Sequence, residues 1–286
     1  MIELTAEQWH KSPAKHVLLF GMSGLGKTFI SNILRENCDW FHYSVDYRIG
    51  TRYMGEHIVD NFKCEAMRNP FLAGLLRSNS IYIASNITFE NLSPLSTYMG
   101  KPGNPALGGI AFAEYRRRQE QHRKAEVAAL LDSEYFIDRA RQIYGYENFV
   151  CDSGGSICEV VNPYNQNDPV MQALAQNLLP VWIRGRAEHT DELVARFDKA
   201  PKPMYFGEQF LTDTWNIFCR DNKVAEDEVN PDGFMRFAYR QCLDHRLPRY
   251  QAMAENWGIT VEAEDIAKVR SADDFNRLIA GALDRT

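Results

Sequence analysis

The sequence predicts an α/β protein, and three observations support this prediction. Short apolar runs of strand length alternate along the chain with longer stretches of helical periodicity. The first apolar run, residues 16–20, is followed at once by a glycine-rich loop and then by a helical stretch to about Glu36. The chain has 286 residues, 45% of them hydrophobic, which suffices for one large domain or for a small core with a substantial insertion.

Residues 21–28, directly after the first predicted strand, read GMSGLGKT and satisfy the pattern GxxxxGK[ST] with one extra glycine. Glycines let backbone N–H groups curl around phosphate oxygens, and the N-terminus of the next helix adds partial positive charge. In this pattern Lys27 reaches the β- and γ-phosphates, and the Thr28 hydroxyl can ligate Mg²⁺. The sequence thus predicts a nucleotide site, with a glycine turn and a chance lysine as the alternative. The residues expected to hold the nucleotide are Gly21, Gly24, Leu25, Gly26, Lys27, Thr28 and Phe29.

An aspartate marks the end of the second predicted strand. Residues 40–45 form a run of strand length that ends at Asp46. An acid at the carboxyl end of a strand lies where open α/β sheets hold their ligands. Asp46 is therefore a candidate to accept a hydroxyl proton or to orient an alcohol. The alternative is an N-cap for a helix that begins at Tyr47.

A second aspartate follows the third core strand, which we expect over residues 147–151. In a protein with a phosphate-binding loop, an aspartate directly after an apolar strand is the position that holds Mg²⁺ through water, so Asp152 is a candidate metal ligand. The paired glycines Gly154 and Gly155 would let a substrate approach the backbone closely. A plain strand-to-helix turn is the alternative.

The middle third of the chain carries weaker signals. Residues 80–85 have the pattern of a strand, whereas residues 91–109 are rich in Gly, Pro, Ser and Asn and predict a loop or a mobile lid. Residues 111–144 predict a long helix. This helix carries five cations, Arg116, Arg117, Arg118, Arg123 and Lys124. They can contact an anionic acceptor or, because glutamates interleave with them, form a solvated helix face.

The last third continues the alternation of strands and helices. Residues 178–183 predict a fourth strand, and the helical segment 188–199 that follows carries Arg196. An arginine placed this way can close over ATP during phosphoryl transfer, and a surface helix face is the alternative. The remaining expected elements are helices at 209–220, 233–243 and 272–283 and a short strand at 259–261.

Composition limits the class of partner. The balance of 32 Lys and Arg against 38 Asp and Glu gives a charge of −6, which argues against a broad basic surface for nucleic acid or anionic lipid. No window approaches the roughly 18 apolar residues that span a bilayer, so we expect a cytoplasmic protein with no membrane partner. The six cysteines lack metal-ligand spacing and are expected to be reduced thiols. They are Cys38, Cys64, Cys151, Cys158, Cys219 and Cys242.

In their order along the chain, these features resemble the shikimate kinase group of P-loop small-molecule kinases. The shared features are the loop GxxGxGKT, Asp46 with an isoleucine three residues on, an apolar strand followed by the Gly154–Gly155 pair, and the pattern Arg-x-Pro-x-Tyr-x-x-x-Ala from Arg246. The resemblance covers roughly residues 15–66 and 146–284. Ser44 stands where the family has the first acid of an Asp-x-Asp pair.

The resemblance implies a single kinase-like domain with a three-layer P-loop NTPase fold, a mostly parallel five-stranded sheet, and a helical insertion over about residues 67–145. It also implies ATP on the loop and a small-molecule acceptor held by Asp46, Gly154, Gly155 and Arg246. A further acceptor arginine would be Arg52 or Arg68, and Arg196 and Lys202 would lie in or near a lid. With Mg²⁺ at Thr28 and Asp152, the catalytic residues would be Lys27, Asp46 and Arg196.

Two other functions stay open at this level. The chain can be an ATPase or an ATP-dependent regulatory switch that acts on a protein partner through its helical insertion. The five cations of the long helix also leave open a kinase that acts on nucleotides or nucleic acid, although the acidic balance of the chain disfavours nucleic acid.

Overall fold

The computed structural model of the chain describes residues 4–37 and 40–285. It contains one sheet of five strands that all run parallel, in the order β2-β3-β1-β4-β5. The strands are β1 (His16–Phe20), β2 (Trp40–Ser44), β3 (Asn148–Asp152), β4 (Leu179–Arg184) and β5 (Ile259–Glu262). The predicted α/β class and the five-stranded parallel sheet are thereby confirmed, and the arrangement is compatible with three layers.

Fourteen α-helices lie in the described part of the chain. They are α1 (Ala6–Lys11), α2 (Lys27–Asn37), α3 (Val45–Arg48), α4 (Gly55–Ala66), α5 (Pro70–Arg77), α6 (Ser93–Met99), α7 (Phe112–Tyr144), α8 (Ile157–Val160), α9 (Pro169–Asn177), α10 (Ala187–Lys199), α11 (Glu208–Asn222), α12 (Pro231–Trp257), α13 (Ala263–Ile266) and α14 (Ala272–Leu283). A π-helical turn at Ile49–Tyr53 and a 3₁₀ turn at Pro105–Leu107 complete the regular structure.

The chain divides into two compact units. The first comprises the residues up to Val45, then Val127–Ala200, and the residues from Ala238 onward, and it contains the whole sheet. The second comprises Asp46–Glu126 and Pro201–Phe237. Its described regular elements are helices and helical turns, with one isolated β-bridge between Pro102 and Ile110.

Burial on both faces explains how the sheet of the first unit forms, since four of the five residues of β1 and four of the five residues of β3 are buried. Val17 and Leu19 of β1 belong to a core cluster with Ile30 of α2 and Phe275 of α14, and all four side chains are buried. The parallel register aligns Leu19 with Asp152 on β3, and Asp152 with Ser44 on β2. The carboxyl ends of these three strands therefore meet at one edge of the sheet, and the chain leaves β1 there to form the glycine loop.

The second unit differs in extent from the insertion expected over residues 67–145. It begins at Asp46 and takes in Pro201–Phe237. Side-chain hydrogen bonds explain why these segments group together. Arg118 of α7 donates to the Asn61 carboxamide (3.2 Å), and the Tyr115 hydroxyl donates to the Met204 carbonyl (2.9 Å).

Three local predictions were wrong. Residues 81–88 have no regular structure, because they join no sheet, and Tyr82 is 88% exposed. The expected loop at residues 91–109 contains α6 and the 3₁₀ turn, and each of these begins with a proline in its first turn, where the missing N–H costs nothing. Helix α12 runs unbroken to Trp257, whereas the expected helix ended at residue 243, and α12 keeps Pro248 in its interior. The buried side chains of Tyr250 and Met253 show that packing holds this helix together beyond the proline.

No helix in the described ranges is both long enough and apolar enough to cross a membrane. The five described cysteines are free thiols, whereas Cys38 lies outside the described residues. Burial raises the pKa of the Cys158 thiol to about 12, so this thiol stays protonated at neutral pH. Cys151, Cys158 and Cys242 are buried, whereas Cys64 is exposed.

Candidate functional site

The loop between β1 and α2 has a backbone that requires glycine. The φ angles of Gly21, Gly24 and Gly26 are +134°, +88° and +100°, a region that other residues rarely adopt. A Cβ atom on Gly24 would lie 2.9 Å from Nη2 of Arg196. The loop therefore combines a glycine-dependent backbone conformation with close contact to the Arg196 guanidinium of α10.

Lys27 is the first residue of α2 and is buried, with 7% of its surface exposed. Its ammonium donates hydrogen bonds to the backbone carbonyls of Gly21 (2.8 Å) and Met22 (2.9 Å). The first turn of α2 contains no acidic residue, so no side chain there offsets the partial positive charge of the helix N-terminus. The loop thus presents an ammonium and a helix N-terminus together, which suits an anion such as phosphate.

Thr28 and Asp152 meet at the carboxyl edge of the sheet. The Thr28 hydroxyl donates to Oδ2 of Asp152 at 2.9 Å, and Asp152 is 8% exposed. His42 of β2 is also near this carboxylate, with its Nε2 atom 3.8 Å from the same oxygen. His42 was not among the site residues predicted from the sequence. The signal that could have identified it is a histidine within an otherwise largely apolar strand.

The donor set at this edge fits Mg²⁺. A hydroxyl and a carboxylate are hard oxygen donors, and Mg²⁺ commonly takes only one or two protein ligands together with water and phosphate oxygens. Within residues 4–37 and 40–285, no group of three or more His, Cys, Asp and Glu side chains is arranged to hold a metal by itself. Thr28 and Asp152 would therefore hold the ion jointly with a bound phosphate.

A cavity of about 670 Å³ adjoins the glycine loop. Its wall includes Leu25, Phe29 and Ile266, and His189 and Arg270 contribute polar groups. The Phe29 ring is 45% exposed, although it is a large apolar side chain. This size lies within the range of small-molecule sites. A larger cavity, of about 840 Å³, lies beside Trp9 and Trp257 and contains none of the predicted site residues.

The Gly154–Gly155 turn contacts the glycine loop from the β3 side. A Cβ atom on Gly155 would lie 3.2 Å from Oγ of Ser23. The Gly155 carbonyl accepts hydrogen bonds from Nη1 of Arg246 (3.0 Å) and from the Tyr250 hydroxyl. Burial raises the pKa of the Tyr250 phenol, which keeps its proton and remains a donor. The structure thus brings together Gly155 and Arg246, two residues predicted to bind the acceptor.

Arg246 also forms an ion pair that the sequence did not predict. Its Nε donates to Oε1 of Glu159 at 2.5 Å, and the exposed fractions of the two side chains are 6% and 1%. Glu159 lies on α8, four residues after Gly155. Glu159 and Arg246 are 87 positions apart, so no local sequence pattern could predict this pair.

The other predicted acceptor residues lie in the second unit. Asp46 is half-buried within α3, which begins at Val45, so Asp46 does not cap a helix that begins at Tyr47. Arg52 is exposed in the π-helical turn. Their role toward an acceptor stays a prediction.

The five cations of α7 are all paired with carboxylates. Arg116 pairs with Glu208, and the other four pair with two glutamates of the same helix. Those four pairs are Arg117–Glu114, Arg118–Glu114, Arg123–Glu120 and Lys124–Glu120. Four of these cations are well exposed, which agrees with the alternative of a solvated helix face, whereas the Arg118 side chain is only 13% exposed.

The chain matches no known protein-family model, no curated protein and no solved structure. The molecule is an α/β protein in which a glycine loop, a buried lysine and a paired threonine and aspartate share the carboxyl edge of a parallel sheet. Ligands of open α/β sheets bind at this edge.

Proposed function

We propose that the protein is a P-loop NTPase of the kinase type, which transfers the γ-phosphoryl group of ATP to a hydroxyl group of a small molecule. The observation that carries the proposal is the conjunction at one sheet edge of the glycine loop, the buried Lys27 ammonium, and the Thr28 hydroxyl 2.9 Å from Asp152. These are the groups that phosphate and Mg²⁺ require.

Each residue has a role in this proposal. Phosphoryl transfer is accelerated mainly by positioning and by neutralising the charge on the transferred group. Lys27 would supply one positive charge, and Arg196, whose guanidinium packs on Gly24, would supply a second. Thr28 and Asp152 would hold Mg²⁺, which neutralises charge on the phosphates when it is bound.

The remaining predicted residues concern the base and the acceptor. The apolar cavity beside Leu25 and Phe29 suits the base of a nucleotide. The Gly154–Gly155 turn would bind part of the acceptor, and the roles of Asp46 and Arg52 toward the acceptor stay predictions. The acceptor and the cytoplasmic location stay predictions.

The decisive experiment compares two lysine variants. ATP binding is measured with a fluorescent ATP analogue, and ADP production is followed with a panel of neutral and acidic hydroxy compounds as acceptors. We expect Lys27→Ala to lower turnover by about 100-fold or more, because charge stabilisation in the transition state is lost. Lys63→Ala, which changes a half-exposed lysine paired with Asp60 in the second unit, serves as control. Unchanged turnover in Lys27→Ala would contradict the proposal.

The same assay separates the alternative function. Steady ADP production without any acceptor, stimulated by a protein partner, would identify an ATPase or a switch instead. The residue after Asp152 is Ser153, so the chain has no Asp-Glu pair at this strand end to polarise a water molecule. The kinase is therefore the proposal that we favour.

A further inference from the structure

A buried ion pair lies behind the Gly154–Gly155 turn. Arg246 of α12 and Glu159 of α8 are in contact at 2.5 Å, and neither side chain is more than 6% exposed. The second donor of the guanidinium, Nη1, bonds to the Gly155 carbonyl at 3.0 Å. The positive charge of Arg246 is thus neutralised by the buried Glu159 carboxylate, while Nη1 of the same guanidinium donates to a backbone carbonyl of the turn.

The stability that a deeply buried ion pair contributes is small compared with the cost of breaking it. Removal of one partner leaves an uncompensated buried charge and is strongly destabilising, whereas the intact pair adds little net stability over apolar residues of similar size. Net stability is therefore a weak account of this pair. The geometry of the pair points to an orienting role, because Arg246 and the Tyr250 hydroxyl together fix the orientation of the Gly155 carbonyl.

The turn fixed in this way touches the glycine loop. A Cβ on Gly155 would lie 3.2 Å from Oγ of Ser23, 3.5 Å from its backbone N, and 3.6 Å from the Gly21 carbonyl oxygen. Any shift of the Gly155 peptide therefore changes the space available to residues 21–23 of the loop. The Gly21 carbonyl is also one of the two acceptors of the Lys27 ammonium.

We infer that Arg246, held by Glu159, is a positioning residue for the phosphate-binding loop. The pair sets the Gly155 carbonyl, the turn supports Ser23 and Gly21, and the loop keeps the backbone shape that receives phosphate. In this role Arg246 acts from behind the turn and does not touch the acceptor. The inference rests on the proposed function for its effect on nucleotide binding, but the effect on the loop itself does not depend on it.

Arg249 provides a matched control on the same helix. It lies three residues after Arg246, and its guanidinium donates to the carbonyls of Cys158 (2.7 Å) and Val161 (3.2 Å). Both arginines thus tie α12 to the segment that follows β3. Arg246 alone of the two bonds to Gly155 among the described contacts.

The test compares Arg246→Met with Arg249→Met by two measurements, at a temperature where circular dichroism shows both variants folded. The first is the dissociation constant of Mg²⁺ and the fluorescent ATP analogue. The second is the hydrogen-exchange rate of the amides of residues 22–26. We expect Arg246→Met to weaken binding at least 10-fold and to speed exchange at least 10-fold. We expect Arg249→Met to change both by less than two-fold, although it also lowers the melting temperature.

Two further variants keep the inference testable if Arg246→Met does not fold. Glu159→Gln retains an acceptor oxygen but removes the charge, and it should speed exchange in the loop by about three-fold. Arg246→Lys retains the charge and should recover part of the loss. Wild-type exchange rates in Glu159→Gln or Arg246→Met would overturn the inference. Failure of the wild-type protein to bind the nucleotide would overturn the proposed function alone, because the exchange measurement still decides the role of Arg246.

Discussion

Each of the two units is stabilised internally in a different way. In the first unit, the candidate site depends on backbone conformation, since three glycines within six residues have positive φ and a buried lysine bonds to the loop carbonyls. In the second unit, side chains distant in sequence carry the structure, as in the stacked rings of Phe112 and Trp215, whose centroids are 4.3 Å apart. Local backbone conformation therefore shapes the glycine loop of the first unit, and long-range packing fixes the second unit.

The largest effect on stability is expected from the aromatic core of the second unit. Trp215 is 1% exposed, stacks on Phe112, and meets Phe234 edge-on at 4.9 Å. Trp215→Ala should lower the free energy of unfolding by about 3–5 kcal/mol, because a large cavity replaces the indole. Urea unfolding measures this loss. Trp215→Phe keeps a ring in the same place and should cost clearly less; equal losses would show that stacking is not what holds this unit.

A smaller effect is expected at Asp152, the proposed metal ligand of the first unit. Asp152→Asn should abolish most of the Mg²⁺-dependent part of ATP binding, a loss of about 10-fold or about 1.4 kcal/mol, because a neutral amide replaces the carboxylate. The measurement is the ratio of the dissociation constants of ATP with and without Mg²⁺. Asp60→Asn, which changes an exposed acid of the second unit, should leave this ratio unchanged. A ratio preserved in Asp152→Asn would remove Asp152 from the metal site.

A pair of glycine substitutions, one in each unit, tests whether backbone conformation matters more in the first unit than in the second. Gly24 has a φ of +88°, and a Cβ there would meet Arg196, whereas Gly74 lies in α5 with nothing within 4 Å of its added Cβ. Gly24→Ala should cost about 1–2 kcal/mol of stability. Gly74→Ala should add about 0.4–1 kcal/mol. Thermal unfolding of both variants measures the two changes in stability. Changes of the same sign would contradict the conclusion that the shape of the loop depends on glycine.

The smallest effect concerns pH and the charges on α7. Hydrogen bonds from Arg117, and then from Arg118, lower the pKa of Glu114 from 4.5 to about 2. A lowered pKa means that the stabilisation is fully present above pH 4.5 and is lost as the pH falls through about 2. Glu114→Gln should therefore be less stable than the wild type at pH 7, by at most about 1 kcal/mol.

This difference should vanish near the lowered pKa. Denaturant unfolding of the wild type and of Glu114→Gln at a series of pH values measures it. Glu134→Gln, at an exposed position of the same helix, provides the control. A stability gap that stays constant down to about pH 2 would show that ionisation of Glu114 contributes nothing.

The contrast between the units also explains what the sequence could predict. The runs at residues 16–20 and 272–283 gave β1 and α14 with their observed bounds, because apolar spacing and burial coincide there. The positions of the glycine loop and Asp152 could be predicted because the loop directly follows the buried strand β1 and Asp152 is the last residue of the buried strand β3. The prediction of a strand at residues 80–85 was wrong because the periodicity of a sequence does not reveal whether a partner strand exists.

The contacts around the Gly155 carbonyl lay beyond the sequence for another reason. Arg246 was singled out as an acceptor residue through a family pattern, yet its ion pair with Glu159 joins positions 87 residues apart. Tyr250 belongs to the same pattern, but nothing in the spacing indicates that its hydroxyl bonds to Gly155. Patterns of residue types thus locate side chains of chemical interest, and only the packing of α12 against the turn shows which atoms they hold.

The two carbonyl bonds of Lys27 have a consequence for the energetics of ligand capture. The ammonium is 7% exposed and already bound to the Gly21 and Met22 carbonyls, so most of its hydration has been lost during folding. If the proposed function holds, a phosphate that binds to the loop exchanges one set of acceptors for another and does not strip water from a hydrated cation. The cost of dehydrating the ammonium would then fall on folding and not on each binding event.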